Sequence, residues 1–398
     1  MSAALAPGTD TYDVVVAGGG PAGCAAALVL ARAGRTVLLA DAGTGPPKVG
    51  ETLVPAARVL LGDLGVADRV LDSGHLPCYG SLSAWGSADL HAVDFINDPH
   101  GHGWHLDRRL FDRRLRDASR AAGAEVAEGT AVRDTTRTPD GGWTLVLRGG
   151  TGPAGTRSGG ERTVRCRWVI DATGRAAAIA VRCGARRRVR DRLTALYVPL
   201  EADPLDTDRR SLVESDEDGW WYTAPQPSGG RLVAYFTDAD LPAASHTARH
   251  FRRRMTATRH VSRRVHQDGP PPTSPAAPRR AAAHTAHLDT VYGDGWTAAG
   301  DAAVAFDPLS SQGVLTALYT GLGAGLAVDT HLGRAPYGAD SALAAYADKV
   351  AAARSAYLRG HRVIHAQEAR WTDRSFWARR LADLPDSSCR PQEGPSTS

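Results

Sequence analysis

The stretch that decides the fold covers residues 12–23 and reads YDVVVAGGGPAG. A short Val-rich run is typical of a buried strand, and glycines follow it directly. Residues 25–33, rich in Ala and Leu, favour a helix that Gly34 ends, and residues 35–40 (RTVLLA) are a second buried-strand pattern. The first forty residues therefore predict a strand, a glycine-rich turn, a helix and a strand, which is a βαβ unit.

The turn itself, residues 18–23, fits the pattern G-x-G-x-x-G. In such a turn Gly18 permits the tight bend, Gly20 lets a pyrophosphate approach the backbone, and Gly23 allows close helix–strand packing. Asp41, at the end of the second strand, is placed to hold a ribose hydroxyl. Because the glycines stand in a full βαβ context, they predict a dinucleotide site. Its predicted residues are Gly18, Gly20, Pro21, Ala22, Gly23 and Asp41.

Composition bounds the remaining possibilities. The 398 residues include only two lysines, Lys48 and Lys349, and 42% hydrophobic and 23% charged side chains, which is typical of a globular protein. A net charge of +4 without a basic stripe argues against nucleic acid as a partner. Five scattered cysteines without C-x-x-C spacing favour a reducing cytoplasm, and no apolar run is long enough to predict a membrane helix.

A second signal lies far downstream of the first, where Gly300 and Asp301 follow a strand-like run at 295–299. Three further motifs stand between them: KVGET at 48–52, DRRLFD at 107–112 and VIDATGR at 169–175. In this order the motifs resemble the FAD-dependent monooxygenase and halogenase group with the para-hydroxybenzoate-hydroxylase-like fold. The resemblance covers about residues 10–330.

The resemblance implies an α/β fold in which a Rossmann-type FAD-binding domain is split around an inserted, mostly antiparallel substrate-binding sheet, with a C-terminal helical segment. The expected division is a flexible N-terminus, three FAD-binding parts, two substrate-binding parts, C-terminal helices and a flexible tail. The FAD-binding parts are expected at 11–77, 101–175 and 289–330, and the substrate-binding parts at 78–100 and 176–288. The N-terminus covers 1–10, the C-terminal helices 331–384 and the tail 385–398. Residues 149–161 and 267–278 are expected to be flexible connections, and helices are expected at 313–328, 339–358 and 362–384.

The same resemblance assigns roles to single residues. Arg108 is expected to face the FAD, and the carboxylate of Asp301 to bind ribityl or ribose hydroxyls. The loop 308–313 (PLSSQG) is expected to pack beside the isoalloxazine and to shape the edge that reacts with oxygen. The implied FAD-binding residues outside the first turn are Lys48, Gly50, Glu51, Arg108, Gly300, Asp301, Pro308 and Gly313, and the residues of the flavin edge are Pro308, Ser310, Ser311, Gln312 and Gly313.

In this group, reduced flavin and oxygen form a C4a-hydroperoxide that attacks an electron-rich aromatic ring. Halogenases of the group also use a lysine, and in some members a Glu, to direct the halogen. The matching positions lie near Cys78-Tyr79-Gly80, where no lysine stands, and at Ser310. Residues 219–225 (GWWYTAP) match the halogenase pattern W-x-W-x-I-P only in part, since Tyr222 and Ala224 depart from it. The motifs therefore favour hydroxylation over halogenation.

Taken together, the motifs look closest to flavoproteins that hydroxylate a peptide- or protein-bound Trp during quinone-cofactor or peptide natural-product maturation. The expected substrate is such a Trp indole or a Trp-derived metabolite, with Trp220, Trp221 and Tyr222 as walls of its pocket, although aromatic residues on a strand also commonly serve the core. Electrons are expected from NAD(P)H directly or through a separate flavin reductase. A flavin-dependent halogenase and a non-catalytic peptide-binding maturation factor on the same fold are the alternatives.

Several remaining residues carry weaker signals. Cys78 is read as a small buried hydrophobe rather than a reactive thiol. His100, His102 and His105 are close in sequence, and His284 and His287 are three residues apart, but neither group has a carboxylate-rich setting. No metal site is predicted, and no residue stands out as a general base.

Overall fold

The computed structural model describes residues 10–43, 52–149, 160–201, 206–265, 277–333 and 340–382. Lys48, Gly50 and Glu51 lie outside this part of the chain, as do the predicted flexible tail, most of the predicted N-terminus and most of both predicted connections. Within the described residues, no helix is both long enough and apolar enough to cross a membrane.

The described elements are mixed α and β. The strands are β1 (Asp10–Ala17), β2 (Val37–Asp41), β3 (Thr52–Leu53), β4 (Leu76–Cys78), β5 (Gly80–Ala84), β6 (His91–Asp94), β7 (Gly103–His105), β8 (Glu125–Glu128), β9 (Ala131–Arg137), β10 (Trp143–Arg148), β11 (Glu161–Asp171), β12 (Arg187–Val189), β13 (Leu193–Glu201), β14 (Ser211–Asp216), β15 (Gly219–Pro225), β16 (Gly230–Asp238), β17 (Arg279–Ala282), β18 (Ala286–Leu288), β19 (Tyr292–Gly293), β20 (Trp296–Ala298) and β21 (Val304–Ala305). The helices are α1 (Pro21–Arg32), α2 (Ala57–Asp63), α3 (Ala67–Val70), α4 (Arg108–Ala121), α5 (Ala178–Arg182), α6 (Ala248–Ala257), α7 (Val261–Val265), α8 (Gly313–Gly333), α9 (Asp340–Ala366) and α10 (Ser375–Leu381).

The largest sheet contains the predicted βαβ unit. Its main path runs β19-β20-β11-β1-β2-β8, and β10 and β9 extend it from β11. The strands β20, β11, β1, β2 and β8 are parallel along this path. Parallel strands are buried on both faces, which explains why β1 and β2 are continuous apolar runs rather than alternating ones. Segments from three distant parts of the chain thus build one sheet, and α1 and α8 pack together against it.

A second sheet of seven strands has the order β17-β13-β16-β15-β14-β5-β6 and is antiparallel except between β14 and β5. We call the side that bears Trp220 and Phe236 its inner face; there the side chains pack with Trp377 of α10 and with Leu309. Its outer face packs against α6 and α7. The predicted fold class, a split Rossmann-type domain with an inserted, mostly antiparallel sheet, is confirmed.

The C-terminal helices differ from their predicted bounds. A break between 358 and 362 was expected, but α9 continues through Gly360 to Ala366, and only the short α10 follows. A glycine inside a helix costs about 1 kcal/mol, which tertiary packing overrides. The packing here comes from Tyr357 and His365, which are both buried on the same helix.

Candidate active site

The turn after β1 requires glycine at two positions. Gly18 has φ +113°, and a Cβ there would lie 2.1 Å from the carbonyl oxygen of Ala172. A Cβ on Gly23 would lie 1.8 Å from the carbonyl oxygen of Gly18. Any side chain at either position would therefore separate α1 from the ends of β1 and β11.

The first turn of α1 offers backbone N–H groups to an anion. Gly20 is the N-cap, Pro21 is at the start of the helix, and no side chain caps this end. The first turn also contains no acidic residue that would offset the positive end of the helix dipole. These features fit a pyrophosphate at this end, as the sequence pattern predicts.

Asp41 lies beside this turn at the end of β2. Its carboxylate accepts the backbone N–H of Gly19 at 3.3 Å and forms an ion pair with Arg116 at 3.3 Å. Arg116 also donates to the carbonyl oxygen of Gly19 at 3.3 Å. No sequence pattern marks Arg116, because it is one of several arginines in the polar sequence of α4. Its positive charge lies at the dinucleotide turn, where phosphate would be bound.

The downstream motif packs directly on α1. Gly300 has φ +63°, and a Cβ there would lie 2.7 Å from the Cβ of Ala22. Its N–H donates to Thr320 Oγ1 of α8 at 2.8 Å. Asp301 remains 39% exposed and pairs with Arg175 at 3.5 Å. Three motifs predicted separately, at 18–23, 169–175 and 300–301, thus meet in space.

Arg187 adds a second cation at this point. It donates to the carbonyl oxygen of Asp301 at 3.2 Å, and its Nη2 atom is buried with no hydrogen-bond partner in the structure. Burial and the nearby Arg175 lower the pKa of Arg187. A buried, unpartnered guanidinium nitrogen next to Asp301 suits a site for a polar or anionic cofactor group.

Arg108 begins α4, which Asp107 caps by accepting the N–H of Leu110 at 2.9 Å. Arg108 also forms an ion pair with Asp112 one turn later, at 3.2 Å, and both side chains are largely buried. The DRRLFD motif at 107–112 therefore contributes the buried face of this helix start, with Phe111 in the core. Its predicted orientation toward FAD stays a prediction.

We call residues 308–313 the flavin-edge loop. Pro308–Ser310 forms a short 3-10 helix, Ser311 adopts a left-handed conformation with φ 52°, and α8 begins at Gly313. Asp307 anchors the loop by accepting the N–H of Leu309 at 2.9 Å and, at its carbonyl, the hydroxyl of Ser310 at 3.0 Å. Gln312 and Gly313 are exposed at the start of a 21-residue helix without an acidic first turn. Such a helix end stabilises negative charge.

The aromatic residues of β15 do not form one wall. Trp220 stacks on Phe236 with ring centroids 3.9 Å apart on the inner face, where Tyr222 also packs. Trp221 points to the outer face, against Tyr235 and Phe251. The prediction that all three line a pocket is wrong for Trp221, because successive side chains of a strand point to opposite faces.

Tyr222 connects the inner face to Thr52, the last residue of the KVGET motif. Its hydroxyl shares a hydrogen bond of 2.5 Å with Thr52 Oγ1. Thr52 in turn lies 3.4 Å from Nδ1 of His105, whose Nε2 is 2.8 Å from the carbonyl oxygen of Arg209. Burial lowers the pKa of His105 to about 4, so this imidazole is neutral at pH 7. His105 therefore has a structural role where β3 and β7 contact the seven-stranded sheet.

A cluster that the sequence analysis missed lies behind the flavin-edge loop. Asp307 is buried, and its carboxylate lies 3.5 Å from Nε2 of His361 on α9. The ring of His365 packs 4.0 Å from that of His361, and its Nδ1 lies 2.8 Å from the carbonyl oxygen of His361. His361 and His365 are one helical turn apart in the sequence. The expected break at 359–361 places His361 outside both predicted helices, so the pair is not recognised from the sequence.

Two of the weaker sequence signals, Cys78 and His102, have ordinary backbone partners. Cys78 is buried and donates to the carbonyl oxygen of Gly80 at 3.3 Å, and burial raises its pKa. Nδ1 of His102 is 2.7 Å from the carbonyl oxygen of Gly103. Asp171, in the VIDATGR motif, accepts the N–H groups of Thr173, Ile179 and Ala180.

With this geometry in place, comparison with known proteins is decisive for the cofactor. Residues 11–329 match the model of a family described as "FAD binding domain". The chain belongs to this family. The flavoprotein is 28% identical to LodB of Marinomonas mediterranea, which is named as an FAD-dependent oxidoreductase, over 94% of the chain and 98% of that relative. It is 28% identical to a 1H-pyrrole-2-carbonyl-[peptidyl-carrier protein] chlorinase of Pseudomonas fluorescens, over 44% of the chain and 42% of the chlorinase.

Solved structures share the fold. The myxobacterial chondrochloren halogenase CndH superposes with a TM-score of 0.82 at 22% identity, over 95% of this chain and 87% of its own. The peptidyl tryptophan dihydroxylase QhpG, which is essential for tryptophylquinone cofactor biogenesis, superposes with a TM-score of 0.74 at 26% identity, over 93% and 78%. The flavoprotein is thus an FAD-dependent oxidoreductase in a family with both monooxygenase and halogenase members.

Proposed function

We propose that the flavoprotein is a monooxygenase that hydroxylates an electron-rich aromatic ring, and that this ring is the indole of a Trp residue in a peptide or protein or of a Trp-derived metabolite. The observation that carries the proposal is the inner face of the seven-stranded sheet. Trp220 and Tyr222 pack on this face together with Leu309 of the flavin-edge loop. Aromatic side chains suit a planar aromatic substrate, which they hold through stacked or edge contacts.

The position of Lys349 and the sequence of the seven-stranded sheet favour hydroxylation over halogenation. None of the seven strands of this sheet contains a lysine. Lys349 is exposed on α9, and Lys48 lies outside the described residues. A lysine that directs a halogen must reach the substrate, and among the described residues the aromatic face of the sheet provides none.

Reduced FAD, when bound, would supply with dioxygen the electrophilic oxygen that the reaction needs. The protein itself binds and orients. The glycine turn and the start of α1 would hold the pyrophosphate, Asp41 and Asp301 would accept hydrogen bonds from hydroxyl groups, and the start of α8 would stabilise negative charge at the flavin edge. The inner face would hold the ring and keep water away from it.

The experiment is incubation of the purified flavoprotein with chemically reduced FAD, air and a panel of Trp-containing peptides and indoles, in buffer that contains chloride and bromide. The expected result by mass spectrometry is the gain of one or more oxygen atoms on the indole. A matched reaction without halide should give the same product. No oxygenated product across the panel would refute the proposal.

Halogenation is the second candidate, and the pyrrole chlorinase and the CndH halogenase among the similar proteins favour it. The same experiment separates the two, because a halogenase gives a product whose mass depends on the halide supplied. The source of electrons is tested separately. Oxidation of NADH or NADPH by the flavoprotein alone indicates direct use, whereas a requirement for an added flavin reductase indicates a partner.

A further inference from the structure

Three groups that commonly bind metal ions lie together behind the flavin-edge loop. Among the described residues, Asp307, His361 and His365 each offer one ligand atom, and these three atoms lie within 4.8 Å of one another. Asp307 directly precedes the loop, whereas His361 and His365 are one turn apart on α9. Asp307 and His365 are buried, with 1% and 0% of their surface exposed. Two imidazoles and a carboxylate form a ligand set that zinc and other first-row transition metals accept in proteins.

The ring of His365 has a buried nitrogen atom without a partner. Its Nδ1 lies 2.8 Å from the carbonyl oxygen of His361. Because a carbonyl oxygen only accepts, Nδ1 carries the hydrogen, and burial, which lowers the pKa of His365 to about 3, keeps the ring neutral. Nε2 therefore has a lone pair, and this atom is buried with no hydrogen-bond partner in the structure. Buried polar atoms are nearly always paired, so this lone pair indicates a missing electron acceptor.

The contacts around the cluster hold its members as second contacts hold metal ligands. In metal sites the other ring nitrogen of a histidine usually donates to a carbonyl or carboxylate, as Nδ1 of His365 does here. Asp307 is held at two points: its Oδ1 accepts the N–H of Leu309 at 2.9 Å, and its own N–H donates to the hydroxyl of Tyr357 at 3.1 Å. The second carboxylate oxygen, Oδ2, is the one that faces His361. The ligands are thus oriented by the protein itself.

The distance between Asp307 and His361 suits two ligands of one ion. Oδ2 of Asp307 lies 3.5 Å from Nε2 of His361. Two ligands of a tetrahedral zinc ion, each about 2.0–2.1 Å from the metal, are about 3.3 Å apart. A zinc ion could therefore replace the hydrogen between these two atoms. The other two separations are at most 4.8 Å, and rotations of the side chains can shorten them.

An ion can reach this cluster from solvent. His361 lines a cavity of ≈ 300 Å³, which leaves room for water at the fourth position of a tetrahedral ion. Arginines also line this cavity, and their charge opposes the entry of a cation. Arg379 and Arg380 form ion pairs with Asp238, each at 2.9 Å, which offset part of this charge. The buried carboxylate of Asp307 attracts the ion at the site itself.

We propose that Asp307, His361 and His365 bind one divalent transition-metal ion, Zn²⁺ being the ion that suits two imidazoles and a carboxylate, with water as the fourth ligand. The ion joins the residue before the flavin-edge loop to α9, so it fixes the position of the loop. The site is independent of whether the flavoprotein hydroxylates or halogenates its substrate. The sequence alone predicts no such site, because Asp307 and His361 are 54 residues apart.

Binding is tested by calorimetry. Zn²⁺ would be titrated into the FAD-loaded protein after treatment with a chelator and desalting, and we expect one equivalent to bind tightly. Asp307→Asn, His361→Gln and His365→Gln should each weaken this binding about a hundredfold, because each removes a ligand. His287→Gln, at a half-buried histidine of β18, is the matched control and should bind as the wild type does. Wild-type affinity in His361→Gln, or the absence of tight binding to the wild type, overturns the site.

X-ray absorption at the zinc edge identifies the ligands of the bound ion. We expect nitrogen and oxygen neighbours at about 2.0–2.1 Å and the scattering of two imidazole rings. A sulfur neighbour at about 2.3 Å would show that a cysteine binds the ion and would overturn the assignment. Each variant is checked for bound FAD by its visible absorbance. If the buried His365→Gln does not fold, His361→Gln, at a partly exposed side chain, decides alone.

Hydrogen exchange tests whether the ion fixes the loop. Amide exchange would be measured by mass spectrometry with and without one equivalent of Zn²⁺. We expect exchange to slow about tenfold at 307–313 and 357–366, and to remain unchanged in β10 of the largest sheet. Unchanged exchange at 307–313 in the zinc-loaded protein overturns the role assigned to the ion. None of these measurements involves turnover, so failure of the metal site and failure of the proposed hydroxylation are distinguishable.

Discussion

At the turn after β1 the functional groups belong to the backbone, whereas on the inner face of the seven-stranded sheet they belong to side chains. In the turn, Gly18 and Gly23 act by lacking a Cβ, and the first N–H groups of α1 have no side-chain cap. On the sheet, Trp220 and Tyr222 act by what their side chains contact. Gly18 and Gly23 leave no room for an added Cβ, whereas the second region depends on which side chains it carries. The difference explains how one cofactor site can be combined with different substrates.

The largest effect on FAD binding should come from Gly23→Ala. The added Cβ would lie 1.8 Å from the carbonyl oxygen of Gly18, so α1 must move away from β1. We expect the purified variant to carry little or no FAD and to lose about 3 kcal/mol of unfolding free energy. Visible absorbance and urea denaturation measure both. Gly360→Ala is the control, because no atom lies within 4 Å of its added Cβ; it should bind FAD normally and gain up to about 1 kcal/mol.

The two faces of β15 should respond differently to loss of an indole. Trp221→Ala opens a cavity between Tyr235 and Phe251 in the outer core and should cost ~3–5 kcal/mol in chemical denaturation. Trp220→Phe keeps a stacked ring against Phe236 and should cost much less stability. It should instead raise KM for the aromatic substrate. A larger KM effect from Trp221→Phe than from Trp220→Phe would contradict the assignment of the faces.

Acid should lower the unfolding free energy, because it protonates His105 where β3 and β7 contact the seven-stranded sheet. Its pKa is about 4 in the folded protein and 6.5 in the ordinary case, because burial disfavours the charged ring. The unfolded chain therefore takes up this proton first as the pH falls. The contribution is fully present above pH 6.5 and is lost between pH 6.5 and 4. We expect His105→Gln to remove about 3 kcal/mol of the decline in unfolding free energy over this range. His100→Gln, at an exposed position, should leave the decline unchanged.

The smallest effect is expected from Tyr222→Phe. The substitution removes the hydrogen bond to Thr52 and should cost about 1 kcal/mol of unfolding free energy. A combined variant with Thr52→Val tests the pair, because its total cost should be less than the sum of the two single costs. Fully additive costs would show that the bond contributes nothing to stability.

The sequence predicts the backbone-determined region well. The turn, the βαβ unit and the position of Asp41 all follow from local patterns, since glycine requirements and strand periodicity are properties of adjacent residues. The fold class was also predictable, through the order of the motifs.

Side-chain sites assembled from distant segments were harder to predict. Trp221 was assigned to the pocket, although strand alternation alone indicated that it faces away from Trp220 and Tyr222. Arg116 and the pair of Asp307 and His361 join positions 54 or more residues apart, and no local pattern links them. The predicted break near Gly360 was wrong because tertiary packing overrode a weak local preference.

The most direct test of the central claim is the origin of the added atom. The flavoprotein, supplied with reduced FAD and a Trp-containing peptide, would be incubated under ¹⁸O₂ in unlabelled water that contains chloride and bromide. Hydroxylation predicts an indole product that carries ¹⁸O from dioxygen and no halogen. A halogenated product, or an oxygen that comes from water, would contradict the account.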